Sequence, residues 1–507
     1  MNQKETKKVL RTIVSVYDYA KVESSESKKN REYILKKMEL SAENFDFDKL
    51  EEYTQFLHQY AIKIIESFKK EDIIFLTEFI REQYCFNEFP EKMLDFYMRI
   101  TEVAIYIQKI ALQKKRKFKE VGNFNRNRLC ELIEILFMYD EIKIKSEYAI
   151  NNNYRCSFEE LFLPLSDNEI EEFFEQYDLY FRVKKPEERK VYDNNLKKYL
   201  ERKKLTPERI YKDADIILKE ILGFTYTDID NIVKYIDYKI NIENLKEKCL
   251  YGEHHVKIKK DKFYELFKEI ISIENLNSLV EFLSLNRCIE RNLEISNRML
   301  ELRCIIEDDE KLSFGLCNLK ECLLILKVIS ISGHYPKEIG IQEEQNKKFT
   351  EFQSRLTKYF SYLVGDLMQH YGFKLPIGKN GLIKVDLNTI KLSNKKLNFK
   401  DIDVLALDYV NKRLYNCELK YFKVKMNYKS IKTDALEEKK FKNFLDRQRQ
   451  LEENKEQILK EIFGVIDTDG YSIIPVVITS RVNHNTKQII EYSFEEFRRK
   501  IINKEII

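Results

Sequence analysis

Apolar residues recur at three- and four-residue intervals through most of the first 340 positions. "EEYTQFLHQYAIKIIESFKK" (51–70) and "PEKMLDFYMRITEVAIYIQKIALQKK" (90–115) carry them at helical spacing. Helix starts are marked too: Thr206-Pro207-Glu208 sets an N-cap, a proline at the first helical position and an early acid in order, and "SFEELF" from Ser157 and "TDIDNIVKYI" from Thr227 read the same way. Glycines are scarce here. None precedes Gly122, and only Gly122, Gly223 and Gly252 lie before residue 300, which suits long helices joined by polar loops. The pattern predicts a mostly helical region over 1–340, with a small strand pair near "EHHVKIKK" (253–260).

Beyond 340 the pattern changes. "EEQNKKFTEFQSRLTKYFSYLVGDLMQHYG" predicts one long helix ending at Gly372. Short alternating or continuous apolar runs follow: "FKLP", "LIKVDLNTI", "DIDVLALD" and "RLYNCELKYF". A helix over 431–463 ending at Gly464, a buried strand in "YSIIPVVITS" and a final amphipathic helix in "SFEEFRRKII" complete the chain. The expected architecture is α + α/β: a helical recognition or regulatory region at 1–340, in one or two subdomains, then an α/β domain at 341–507 with a central mixed sheet flanked by helices.

Composition narrows the class. Charged residues make up 34% and hydrophobic ones 43% of 507 residues, which predicts folded, soluble domains. No run approaches a membrane span and "MNQKETKKVLRTIV" lacks the apolar stretch of a signal peptide, so the reading is cytoplasmic, with no membrane partner. The absence of Trp and the abundance of Lys, Ile and Asn fit the coding bias of an AT-rich bacterial genome. Nine scattered cysteines and six histidines show no zinc spacing, and the cysteines read as reduced core residues. A net charge of +4 permits nucleic-acid binding without requiring it. The basic run Lys114 to Arg128 reads as the solvated end of a helix with Phe118 and Phe124 turned inward. Glu253, His254 and His255 are adjacent and project in different directions, so they read as structural, as do His334 and His370. Phosphate-binding GxGxxG and GxxxxGK[ST] patterns and a GxSxG elbow do not occur.

Chemistry concentrates in "DIDVLALDYVNKRLYNCELKYF" (401–422). A turn near Val410, Asn411 and Lys412 suits Asn411, which tolerates left-handed backbone angles. Folding there pairs Asp403 with a residue between Glu418 and Lys420. Glu418 and Lys420 share one face and Leu419 the other. Two opposed carboxylates repel unless solvent or a cation lies between them. Such a pair suits Mg²⁺, and a lysine beside the metal can orient a water and offset charge building on a phosphate. An ordinary solvent-facing hairpin with a cross-strand ion pair is the competing reading.

This arrangement resembles the catalytic core of the PD-(D/E)XK nuclease superfamily, the restriction-endonuclease-like fold. Asp403 matches its strand aspartate and Glu418-Leu419-Lys420 its acid-x-Lys triplet. Ile402 stands where the family often has proline. The triplet alone recurs at Glu5-Thr6-Lys7, Glu26-Ser27-Lys28, Glu141-Ile142-Lys143 and Glu437-Glu438-Lys439. Only at Glu418 is it set in apolar strands, opposite an Asp, with helices before and after. The resemblance spans 343–507. It implies a Mg²⁺-dependent (or Mn²⁺-dependent) endodeoxyribonuclease in which Asp403, Glu418 and the Leu419 carbonyl hold metal, and Lys420 positions water. It also implies a further acid from the preceding helix, Glu351, with Asp366 behind it. The following helix would add one of Lys439, Lys440, Arg447, Gln448 and Gln450. DNA is the implied substrate, RNA remains open, and stand-alone bacterial proteins of this build resemble those used against phage. The helical region would recognise, regulate or form a homo-oligomer. A different class stays open beside it: a scaffold that grips nucleic acid or a partner without cutting.

Overall fold

Serine or threonine side chains cap the starts of four of the described helices. The Ser24 hydroxyl accepts from the Ser27 amide at 3.1 Å and starts α1 (Ser25–Lys37). The computed structural model describes residues 24–86, 94–120, 125–161, 207–240, 255–290, 302–332, 343–420, 442–479 and 490–505, apart from a few isolated positions within these stretches, together with residue 11. α2 (Leu50–Ile65), α3 (Lys70–Phe86), α4 (Leu94–Ala111) and α5 (Arg126–Asn152) follow α1. Their apolar faces close a first core that includes Leu57, Ile65, Leu76, Ile107 and Ile133. Phe118 packs against this core from the basic run; Phe124 lies outside the described residues.

The second unit comprises α6 (Pro207–Leu222), α7 (Tyr226–Tyr235), β1 (His255–Lys259), α8 (Lys260–Phe267), α9 (Ile273–Leu283), the short α10 (Leu285–Glu290), β2 (Ile306–Asp308), β3 (Lys311–Gly315) and α11 (Leu316–Ser332), and all but α10 and β2 pack into a second core. Pro207 is the first described residue of α6, and the expected N-cap Thr206 lies outside the described residues. α7 is capped two positions earlier than expected, by Thr225, whose hydroxyl and the Asp228 carboxylate form a reciprocal capping box. The expected strand pair is a three-stranded antiparallel sheet, ordered β1-β3-β2.

A buried polar seam joins the two cores. His255 meets Glu78 at 2.7 Å and stacks on Phe79, so it serves structure; Glu253 and His254 lie outside the described residues. Arg81 donates to the Arg303 carbonyl at 2.7 Å and to Gln108 at 3.0 Å. The Glu82 carboxylate accepts from the Cys317 and Asn318 amides at 2.9 and 2.8 Å, so a side chain of α3 caps α11. Gly315 is required there, because a Cβ would lie 2.1 Å from Glu82 Oε2.

α12 (Glu343–His370) lies inside the expected C-terminal domain and packs on two cores. Phe352 belongs to the second core, whereas Phe360, Val364, Leu367 and Met368 belong to the C-terminal one. The C-terminal part contains the hairpin β4 (Thr389–Lys391) and β5 (Lys396–Asn398), then β6 (Val404–Asp408) and β7 (Arg413–Lys420). α13 (Lys442–Glu453), α14 (Lys455–Phe463), β8 (Ser472–Thr479), β9 (Ile490–Ser493) and α15 (Phe494–Ile502) complete it. The helix predicted over 431–463 is two helices in its described part. Asn454 breaks it, its side chain donating to the Gln450 carbonyl at 2.6 Å in competition with the helical ladder. It ends at Gly464, in the left-handed conformation a C-cap favours.

The main sheet is mixed and ordered β6-β7-β8-β9, with β6 antiparallel to β7 and β7, β8 and β9 mutually parallel. α12 and α15 cover one face through Val404, Ala406, Tyr415, Cys417 and Leu419. α14 and part of α13 cover the other through Leu405, Leu407, Leu414 and Ile473. A helical region followed by a mixed sheet flanked by helices is therefore the observed class. No helix among the described residues is long and apolar enough to cross a membrane.

Candidate active site at the end of the β6–β7 hairpin

Hairpin register decides which side chains meet. β6 and β7 pair from Asp408↔Arg413 to Val404↔Cys417, so one step further Asp403 stands opposite Glu418. The turn is held by Asp408, whose carboxylate accepts from the Val410 and Asn411 amides and the Asn411 side chain. The left-handed residue is Lys412, with φ of 52°, and not Asn411. Asn411 contributes as an anchor for Asp408 instead.

At Asp403 the strand changes partner. The Ile402 carbonyl accepts from the Leu387 amide at 2.7 Å, and the Ile402 amide donates back to the Leu387 carbonyl at 3.1 Å. The Leu419 N–H would have addressed position 402 in a continuing antiparallel ladder. Asp403 Oδ2 accepts it instead, at 2.6 Å. The aspartate thus closes the ladder with a carboxylate where a carbonyl would stand. Its charge also lies close to Cys417, whose thiol is pushed well above its usual range, first by burial and then by Asp403.

On β7, Leu414, Asn416, Glu418 and Lys420 alternate with the core residues Tyr415, Cys417 and Leu419. This face runs from apolar to charged toward the strand end. Glu418 is only 7% exposed. Its Oε1 pairs with Lys420 Nζ at 2.5 Å and its Oε2 with the Arg447 guanidinium of α13. Arg447 is delivered by its neighbour. Gln448 accepts from Asn416 Nδ2 at 3.0 Å and donates to the Ile473 carbonyl at 3.2 Å, tying α13 to β7 and β8. Phe444 packs on Val477, the β8 partner of Glu418.

Asp403, Glu418, Leu419 and Lys420 are therefore gathered at one strand end, and of the five helix candidates Arg447 touches Glu418 directly. Lys439 and Lys440 lie outside the described residues. Glu351 is not brought in. It is exposed beside Phe352, where α12 packs on the second core, and the helix reaches the C-terminal core only from Phe360 onward. Asp366 is buried on the same helix, which covers the opposite face of the sheet. Asn416 gave no sequence signal beyond its two-residue spacing from Glu418.

Two carboxylates and a backbone carbonyl suit a hard cation that keeps several waters. Among the described residues no group of three or more His, Cys, Asp or Glu side chains is arranged to hold a metal ion, so a cation here would rest on the pair alone. Comparison with family models, with curated proteins and with solved structures found no match to the chain.

Proposed function

We propose that the C-terminal unit is a metal-dependent nuclease domain that hydrolyses DNA phosphodiester bonds, used by a bacterial cell against foreign DNA. The observation that carries the reading is the hairpin register, with Asp403 opposite Glu418 and Lys420 on the same face as Glu418. The resemblance to the PD-(D/E)XK superfamily rests on the same residues. Asp403, Glu418 and the Leu419 carbonyl would hold Mg²⁺ or Mn²⁺, which when bound supplies an acidified water and polarises the phosphate. Lys420 orients the attacking water and offsets charge on the phosphate. The water oxygen bonds to phosphorus as the bond to the leaving ester oxygen breaks, giving a phosphomonoester and an alcohol.

The test is incubation of the full chain with plasmid, phage DNA and RNA in Mg²⁺, Mn²⁺ or chelator. Wild type cuts DNA in either metal, while Glu418→Gln and Lys420→Ala do not. Equal activity in all three proteins would sink the assignment.

One observation favours a second reading. Both Glu418 oxygens are already neutralised, by Lys420 and Arg447. In that reading the α/β unit grips nucleic acid without cutting, and Glu418 is an internal counter-ion. DNA binding without cleavage, unchanged in Asp403→Asn, is its signature.

A further inference from the structure

A cavity of about 210 Å³ opens in the first helical unit, between α2, α4 and α5. It lies below the size of drug-like pockets and matches one small ring with one substituent. Its walls suit a ring. His58 and Tyr106 meet edge to face with centroids 6.0 Å apart, and Tyr139 lies 5.3 Å from Tyr106 and 6.1 Å from His58. His58 Nδ1 and the Tyr106 hydroxyl are hydrogen-bonded, which fixes that pair, and the buried Ile105 and Ile110 add apolar surface. An aromatic guest exchanges water for ring and aliphatic contact here.

The charge left over in the cavity is positive. Glu102 and Asp140 line it, but both carboxylates are engaged with partners of their own. Lys109 of α4 and Lys143 of α5 line it too, and among the described residues neither pairs with a carboxylate. Lys143 Nζ donates instead to the Tyr139 hydroxyl at 3.4 Å and stands 5.5 Å from the Tyr139 ring centroid. The two ammonium groups crowd each other. Burial and then Lys143 push Lys109 below its usual range, and burial followed by Arg116, Lys143 and Lys109 does the same to His58. Arg116 itself is held outside, by Glu66 and by Gln113 Oε1. A half-buried lysine pair with no described acid between its members is a cost that a bound anion removes.

The lysines disfavour a cation, and an inorganic anion leaves the ring walls unused. We propose that the cavity binds a monocyclic aromatic carboxylate, with its ring against Tyr106 and Tyr139 and its carboxylate between Lys109 and Lys143. Charge-assisted hydrogen bonds from the two lysines fix the carboxylate, and face or edge contact with the tyrosines fixes the ring. This site belongs to the helical region and is separate from the hairpin at Asp403 and Glu418. Its position adds a consequence. Ile105 lines the cavity and is buried with Leu285 and Cys288 of the second unit, so an occupant also braces the contact between the units.

The test is a ligand-observed NMR titration of the full chain with benzoate, benzamide, acetate and inorganic phosphate. Benzoate binds. Benzamide keeps the ring and loses the charge, while acetate and phosphate keep charge and lose the ring, so each binds about tenfold or more weakly. The double variant Lys109→Ala/Lys143→Ala loses about tenfold or more of the benzoate affinity. Lys257→Ala removes an exposed lysine paired with Asp308 and binds as wild type, which separates the cavity from a general loss of charge. Should the double variant not fold by circular dichroism, Lys109→Gln replaces it, since it keeps the length of the side chain and removes the charge. No binding of benzoate at millimolar concentration would overturn the proposal. So would equal binding of benzamide, acetate or phosphate, unchanged binding in the cavity lysine variants, or an equal loss in Lys257→Ala.

Discussion

Arg447 on α13 and Glu418 on β7 form an ion pair in which each side chain keeps only 9% of its surface exposed. With Lys420 on the other oxygen, the carboxylate is enclosed by two cations, and Asn416 with Gln448 sets the spacing between helix and strand. Any divalent cation that uses Glu418 must compete with these two residues.

That competition is measurable. Removing Arg447 leaves a buried carboxylate with one partner fewer, so Arg447→Ala should destabilise the chain by about 3 kcal/mol in urea unfolding. The double variant Arg447→Ala/Glu418→Gln should cost less than the sum of the singles, because they share one interaction. Millimolar Mg²⁺ should raise the melting temperature of Arg447→Ala more than that of wild type, since the cation takes the vacated place on the native state. Equal melting temperatures with and without Mg²⁺ in both proteins would remove the metal from the reading.

Asp403 carries a structural and a proposed chemical role, and two substitutions separate them. Asp403→Asn keeps an oxygen that can accept the Leu419 N–H, so it should fold with a loss of under about 1.5 kcal/mol yet fail to cut DNA. Asp403→Ala leaves that N–H unmatched at the strand end and should cost about 1.5–3 kcal/mol as well as activity. If Asn and Ala are equally stable, the ladder-closing role is wrong. If Asn still cuts, the metal-holding role is.

Legibility in the sequence followed the range of the interactions. The helices around Leu57 and Ile107 and the helix end at Gly464 are written in local spacing and caps, and they were readable. The short turn narrowed the partner of Asp403 to the stretch from Glu418 to Lys420, and the ladder selects Glu418. β2 and β3 were missed in a region read as helical: "IEDDEKLSFG" is short and charged, and β3 gains its core from α8 and α11, which no local window contains. Glu351 failed because helical spacing does not say where along α12 the packing passes from one core to the next. Arg447 could not be picked from its neighbours, since choosing it needs the rotation of α13 that the contact between Asn416 and Gln448 fixes. The seam around Glu82 was invisible for the same reason: its partners lie 235 and 236 positions away.

That seam gives a pH signature. Burial raises the Glu82 carboxyl above its ordinary value of 4.5, against the lowering effects of the Asn318 and Cys317 amides and the His255 charge. A raised carboxyl means the folded state binds more protons than the unfolded one, so the contribution is fully present below pH 4.5 and is lost as pH rises through the raised value. Glu82→Gln keeps the shape and cannot titrate. The stability of wild type minus that of Glu82→Gln should therefore fall as pH rises above 4.5, read from urea midpoints across the acid range. Gly315→Ala, whose Cβ would lie 2.1 Å from Glu82 Oε2, should destabilise wild type by about 1–3 kcal/mol, and much less in a Glu82→Ala background where that oxygen is gone. A pH-independent difference, or an equal cost of Gly315→Ala in both backgrounds, would mean that the carboxylate does not hold the start of α11.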